Sequence, residues 1–69
     1  MSKQIGKIVE FDGFSGILID KNNTKHIFSN DDLITKKLNK DDLVSFESEL
    51  FKTIDNEIFI ARFVKKIEK

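Results

Sequence analysis

The sequence contains no cysteine and no proline among its 69 residues. Without cysteine the chain forms no disulfide and offers neither a thiol nucleophile nor a thiolate metal ligand, a composition that fits a reducing compartment. Without proline, the turns depend on Gly, Asn, Asp and Lys. A chain of this length is expected to form one domain, here residues 1–69, and buries only about 60% of the surface that its unfolded form exposes. Its core must therefore be compact.

The sequence also lacks an excess of charge of either sign. Twelve basic and twelve acidic side chains give a formal net charge of zero. No overall positive field therefore attracts phosphate from a distance, although a neutral domain still binds single strands by stacking in a local groove. No apolar run approaches the roughly 18 residues that span a bilayer, and no signal-type hydrophobic stretch follows the first residues. We expect a cytoplasmic protein without membrane contact.

Five segments have the composition and period of β-strands. They are rich in β-branched and aromatic residues, or alternate apolar with polar side chains. The predicted strands cover residues 4–11, 16–20, 25–29, 43–50 and 57–67. Asp12-Gly13 and Asn22-Asn23 are strong turn signals between the first three. Gly6 indicates a bulge or bend, by which one long strand serves both sides of a small barrel.

A short helical turn is predicted between the third and fourth strands. Ser29 or Asn30 caps its start, and the two aspartates that follow complement the dipole of its first turn. Few apolar residues are available to anchor it, so it extends for one or two turns. The whole pattern predicts an all-β fold, a five-stranded antiparallel barrel with a short helical turn between strands three and four.

The chain resembles the bacterial cold-shock proteins, a family of five-stranded OB-fold barrels that bind single-stranded DNA and RNA. Residues 6–11, GKIVEF, resemble the family's opening strand. Residues 15–19, SGILI, and 26–30, HIFSN, stand where the family has its two aromatic-rich motifs. Residues 43–47 and 61–64 resemble the last two strands, so the likeness extends over nearly the whole chain. It implies an OB-fold that binds single-stranded RNA or DNA, with little sequence preference, as in an RNA chaperone.

The resemblance also implies where the nucleic acid binds. Phe11 and Phe28 stand at positions where the family stacks bases on aromatic rings. Ile17 and Ile19 replace stacking phenylalanines, and Asn30 replaces a stacking histidine. Each base stacked on an aromatic ring contributes roughly 1–3 kcal/mol. The lost platforms therefore imply weak binding.

Basic and polar side chains complete the predicted interface. We expect Lys7, Lys25 and Arg62 to contact phosphates, and His26 or Asn30 to hydrogen-bond a base edge. The full predicted set is Lys7, Phe11, Ile17, Ile19, Lys25, His26, Phe28, Asn30 and Arg62. For the two phenylalanines a place in the core is an equal alternative, and for the three basic residues solvated charges are the favoured reading.

An isoleucine-rich outer face also suits a protein partner or a second copy of the chain. The alternative function is therefore a protein-interaction module in which nucleic-acid binding has been lost. Phe14 is close enough to the second strand to replace a lost platform. Phe59 and Phe63 share one face of the fifth strand if no bulge intervenes, and packing in the core is favoured for both.

No pattern in the sequence indicates catalysis. His26 is the only histidine, and no second imidazole or thiol accompanies it as a metal ligand. The adjacent aspartates at 31–32 and 41–42 are explained by caps and turns. The three glycines stand apart and form no phosphate-binding loop. We predict that the protein is not an enzyme and needs no metal or cofactor.

Overall fold

A computed structural model describes residues 3–67 as five strands and one short 3₁₀ turn. The strands are β1 Lys3–Phe11, β2 Ser15–Asp20, β3 Lys25–Ser29, β4 Leu43–Lys52 and β5 Glu57–Lys66, and the 3₁₀ turn is Asn30–Asp32. They close into a barrel in the order β1-β2-β3-β5-β4. This confirms the predicted all-β, five-stranded barrel of OB type with a short helical turn after the third strand. No helix within the described residues has the length and apolar character needed to cross a bilayer.

One strand pair departs from the predicted antiparallel arrangement. β3 and β5 run parallel and pair at Ile27 and Ile60, whereas the other four pairs are antiparallel. The strand order requires this direction. β3 runs in the same direction as β1, since both are antiparallel to β2. β4 runs opposite to β1 and β5 returns from β4 through a hairpin, so β5 runs in the same direction as β3.

β1 is the strand shared by both sides of the barrel. Its first half pairs with β4 and its second half with β2, and Gly6 takes part in both pairings. A Cβ at Gly6 would lie 2.5 Å from the carbonyl oxygen of Ile19 and 2.9 Å from the ring of Phe46. The residue is therefore a glycine because two elements approach closely there. The bulge itself lies further along, between Ile8 and Glu10.

The inward side chains of the barrel form a single apolar core. The two-residue period of each strand turns one face inward. The side chains that are at most 1% exposed and apolar are Ile8, Leu18, Phe28, Val44, Phe46, Ala61 and Val64. Leu33 and Leu38, from the segment between β3 and β4, are buried against them. This segment, which begins with the predicted helical turn, therefore contributes two side chains to the core.

The distal half of the β4–β5 hairpin extends beyond the barrel. Its ladder continues to the pair Lys52–Glu57, but in the described part of the chain β1 accompanies β4 only as far as Glu47, and β3 meets β5 only at Ile60. All side chains from 49 to 58 are exposed. The molecule is elongated accordingly, with principal extents of 39 × 24 × 19 Å.

A bulge in β5 separates the two phenylalanines that would otherwise share a face. The register between β4 and β5 shifts between Ser45 and Glu47, opposite the bulge. Phe63 lies in the bulge with a φ of 55° and is 58% exposed. Phe59 is half-buried, and its ring centroid lies 5.3 Å from that of His26. The core position favoured for both residues is therefore confirmed in part for Phe59 and is wrong for Phe63.

Candidate nucleic-acid interface

Lys7, Ile19 and Lys25 lie side by side on the outer face of β1, β2 and β3. The strand register pairs Lys7 with Ile19, and Ile19 with Lys25. Neighbouring strands are about 4.8 Å apart, so the backbones of the two lysines are about 10 Å apart. The Lys7 ammonium lies 3.7 Å from the Asp41 carboxylate, but its side chain remains 51% exposed, and such a surface pair contributes little. We call these three residues the lysine-flanked row.

A second row lies about two residues along the same strands. Glu10 pairs with Ile17, Ile17 with Ile27, Ile27 with Ile60, and Ile60 with Glu49. Ile27 is 49% exposed, and the other two isoleucines are half-buried. We call these five residues the acid-flanked row. It offers apolar surface for contact, but the Glu10 carboxylate at one end repels phosphate, whereas Glu49 at the other end is paired with Arg62.

An open groove of about 600 Å³ lies beside the acid-flanked row. Phe11 forms its wall, half-buried, with its ring centroid 5.6 Å from that of Phe28 beneath. Ile17 and Ile27 contribute apolar surface. The one positive charge of Lys40 faces the carboxylates of Glu10 and Asp12, which also line the groove. The groove thus combines an aromatic wall with aliphatic side chains, a surface on which a base can lie flat.

The Asp12 carboxylate fixes the turn at one end of this groove. Its Oδ1 accepts hydrogen bonds from the backbone amides of Ser15, at 2.9 Å, and Phe14, at 2.8 Å. These two bonds lower the pKa of the Asp12 carboxyl from its ordinary value, because they stabilise the ionised form. The Phe14 ring is 79% exposed. Its carbonyl oxygen accepts a bond of 2.7 Å from the amide of Asn30, which ties the β1–β2 turn to the 3₁₀ turn.

Gly16 allows β1 and β2 to approach each other at the groove. A Cβ there would overlap the carbonyl oxygen of Glu10 and lie 2.7 Å from the ring of Phe28. The bulge of β1 brings this carbonyl against β2. The bulge and the glycine together therefore define the shape of the groove.

Phe28 and His26 lie inside the barrel rather than on its surface. Each is 1% exposed, because β3 turns these two residues inward. The stacking role predicted for Phe28 is corrected to a place in the core. His26 Nδ1 lies 3.1 Å from the carbonyl oxygen of Thr24, and Nε2 lies 3.0 Å from Ser48 Oγ. Both ring nitrogens have internal partners, so the predicted contact between His26 and a base edge is corrected as well.

Arg62 is held by two carboxylates. Its Nη2 donates to Glu49 Oε1 at 3.1 Å, and Nη1 lies 3.5 Å from Asp32 Oδ1. Its Nε is buried and, within residues 3–67, has no hydrogen-bond partner. The charge of Arg62 is balanced locally, and its side chain lies beside the acid-flanked row instead of joining Lys7 and Lys25. The guanidinium of Arg62 is therefore already paired with carboxylates and is not free for the predicted phosphate contact.

The structure divides the predicted residues into four groups. Lys7, Ile19 and Lys25 share one row, Phe11 and Ile17 line the groove, and exposed Asn30 is bonded to the neighbouring turn; the remaining three are buried or neutralised. Sequence reasoning missed Ile27 and Lys40. The outward position of Ile27 could have been inferred, because this residue lies between two inward-facing residues of β3. Lys40 comes from a loop, where no periodic signal exists.

Neither a scan against protein-family models nor a search of curated proteins finds a match to this chain. The likeness to the cold-shock family therefore stays a prediction from residues and motifs. In the described part of the chain, no group of three or more His, Cys, Asp and Glu side chains is placed to hold a metal ion.

Proposed function

We propose that the protein binds single-stranded nucleic acid, weakly and with little sequence preference, on the outer face of β1, β2 and β3. The observation that carries this proposal is the lysine-flanked row. Two exposed ammonium groups lie at one level of three adjacent strands, on either side of an aliphatic side chain. The phosphates of a bound strand contact Lys7 and Lys25, and Ile19 lies against the sugar and base between them.

The bases bind in the adjoining groove. Phe14 offers an exposed ring for stacking, Phe11 forms the wall, and Ile17 and Ile27 provide apolar contact. Asn30 lies beside Phe14 and supplies a polar side chain for a base edge. With one or two aromatic platforms at roughly 1–3 kcal/mol each, stacking contributes at most about 6 kcal/mol, which by itself corresponds to a dissociation constant no tighter than about 40 µM. This weak, unselective binding suits an RNA chaperone that keeps strands unpaired.

A titration at low salt with a pyrimidine-rich oligonucleotide of about six to eight nucleotides tests the proposal. We expect amide chemical shifts to change in β1, β2 and β3 and at Phe14. The double variant Lys7→Gln/Lys25→Gln should bind more weakly and lower the slope of log K against log salt by about 1.4, since each phosphate contact on a single strand contributes about 0.7.

The matched control is Lys37→Gln/Lys65→Gln, which removes the same charge from two exposed lysines outside the row. It should leave the salt slope unchanged. If no amide on the face of β1–β3 moves, or if the control loses as much affinity as the test variant, the proposal fails.

A protein-interaction surface on the acid-flanked row is the second candidate. Three isoleucines between Glu10 and Glu49, with Arg62 neutralised alongside, favour contact with a basic, apolar segment of another protein over contact with phosphate. The titration separates the two candidates. An oligonucleotide that moves no amide, combined with binding of a Lys- and Leu-rich peptide that Ile27→Asp abolishes, would establish the second.

A further inference from the structure

The tip of the β4–β5 hairpin carries apolar side chains that the barrel does not cover. Their exposed fractions are 41% for Leu50, 46% for Phe51, 100% for Ile54 and 37% for Ile58. The turn between the strands is ordered by hydrogen bonds. The Thr53 amide donates to the carbonyl oxygen of Asn56 at 2.7 Å, and Thr53 Oγ1 accepts from the Asn56 amide at 3.0 Å. Because the tip is already ordered, it loses little conformational freedom on binding.

The same segment is acidic. Residues 47–57 contain four carboxylates and one lysine. Lys52 lies 3.8 Å from Glu57, and Glu49 is paired with Arg62. Within residues 3–67, Asp55 forms no ion pair, so its charge remains available at the tip beside Ile54.

The opposite end of β4 has the opposite charge. An open groove of about 340 Å³ lies between β1, β2 and the start of β4. Ile5 and Leu43, which are 60% and 44% exposed, form its apolar surface. Lys7 and Lys21 are its basic residues, Lys3 adjoins it, and Asp20 is its one carboxylate. The oxygen Oδ1 of that carboxylate accepts bonds from two backbone amides of the β2–β3 turn, and Lys7 is paired with Asp41 at 3.7 Å, so Lys21 and the adjoining Lys3 supply the positive charge of the groove.

The two surfaces are too far apart to meet within one molecule. β4 begins at the groove with Leu43 and ends at the hairpin with Lys52, and ten residues at about 3.3 Å each span about 30 Å. The long dimension of the molecule, 39 Å, agrees with this separation. Both surfaces are apolar and their charges are complementary. Different patches at opposite ends of one chain make a head-to-tail contact between copies.

We propose that the hairpin tip of one copy docks in the basic groove of a second copy. Ile54 enters between Ile5 and Leu43, and Asp55 lies against Lys21. The tip is small, so the contact buries less than the roughly 800 Å² per partner of a standard interface. The association is therefore weak and grows into short chains of molecules as concentration rises. The hairpin tip lies outside both rows, but the groove shares Lys7 and Ile19 with the lysine-flanked row, so docking of a second copy competes with the proposed nucleic-acid binding and is tested without oligonucleotide.

Sedimentation velocity at low salt, from about 20 µM to about 1 mM, tests the docking. The weight-average mass of the full chain should rise with concentration. Ile54→Ser changes a fully exposed side chain and should weaken association at least about tenfold, whereas Ile34→Ser, at a 56% exposed position elsewhere, should not. A chain that stays monomeric throughout, or equal losses in the two variants, would overturn the proposal.

Charge reversal tests the orientation of the contact. Asp55→Lys makes both ends basic and Lys21→Glu makes both ends acidic, so each variant alone should associate less than the wild type. An equimolar mixture should recover association, because each hairpin then meets a groove of opposite charge. A mixture that remains monomeric overturns the docking. The docking is also overturned if the wild type stays monomeric and instead binds phosphatidylcholine vesicles in a way that requires Ile54, since the hairpin tip would then contact a lipid surface. Circular dichroism checks that every variant is folded.

Discussion

β4 passes through two environments within ten residues. In its first half Val44 and Phe46 point inward and are 0% and 1% exposed, whereas in its second half Leu50 and Phe51 are 41% and 46% exposed. The alternation of side chains is similar in both halves. The neighbours differ, since β1 accompanies the first half and within the described residues leaves the second half paired with β5 alone. The apolar side chains of the first half hold the barrel together, and those of the second half remain available for contact.

The strongest test of this contrast compares two phenylalanines on the same strand. Phe46→Ala removes a buried ring and should lower the free energy of unfolding by about 3–5 kcal/mol, close to the total stability expected of so small a domain. Phe51→Ala removes an exposed ring and should change it by no more than about 0.5 kcal/mol. Urea denaturation followed by circular dichroism measures both. Equal losses would show that the hairpin contributes to the core.

If Phe46→Ala does not fold, Phe46→Leu provides a smaller truncation at the same site. It should still destabilise the protein more than Phe51→Leu does. An unfolding midpoint unchanged by Phe46→Leu would contradict the assignment of this ring to the core.

A smaller loss of stability should mark the point on β4 where the barrel ends and the uncovered part of the hairpin begins. Ser48 Oγ is the partner of the buried His26 Nε2, so Ser48→Ala leaves a buried nitrogen without a hydrogen bond and should cost about 1–3 kcal/mol. Ser45→Ala, on the outward side of the same strand, should cost no more than about 0.5 kcal/mol. If the two variants are equally stable, His26 has found another partner and the boundary is less sharp than the structure indicates.

The smallest expected effect is a change of stability with pH that distinguishes the β1–β2 turn from the β4–β5 turn. In the β1–β2 turn the side chain that accepts hydrogen bonds from backbone amides is the Asp12 carboxylate, whereas in the β4–β5 turn it is the Thr53 hydroxyl, which does not ionise. Because folding lowers the Asp12 pKa, its contribution to stability is present above the pKa of the unfolded chain and is lost as pH falls through the lower pKa of the folded chain. The amide shifts of Phe14 and Ser15 should follow this titration below the ordinary range of aspartate. Asp12→Asn should remove the step, and a midpoint at or above the ordinary value would contradict the hydrogen bonds.

Most of the barrel was predictable because strand formation depends on a local two-residue period. The direction of β5 relative to β3 was not predicted, since it depends on which strands are neighbours. The reach of the hairpin beyond the barrel was also missed, because the alternation around Leu50 looks the same with or without a neighbouring strand. The bulge at Phe63 has no glycine to mark it, and φ of 55° is rare for a bulky residue.

The candidate site was predictable where alternation alone decides it. Lys7, Ile19 and Lys25 face outward in register as the strand period requires. For Phe28 the family resemblance implied an outward stacking role and the core was an equal alternative; the structure places it in the core, and its neighbour Ile27 faces solvent. The neutralisation of Arg62 was beyond a sequence argument, because its two carboxylates come from other elements of the chain.

The short turn between β4 and β5 has a consequence for the order of folding. It joins two ten-residue strands through residues 53–56, so their contacts close small loops, whereas β1 must find β4 across more than thirty residues of chain. The entropy lost on closing a loop grows with its length, and local pairings form sooner. We expect the β4–β5 hairpin, together with the equally local β1–β2 and β2–β3 hairpins, to form before β1 pairs with β4 and closes the barrel. The segment that contributes least to the finished core would then be among the first to become ordered.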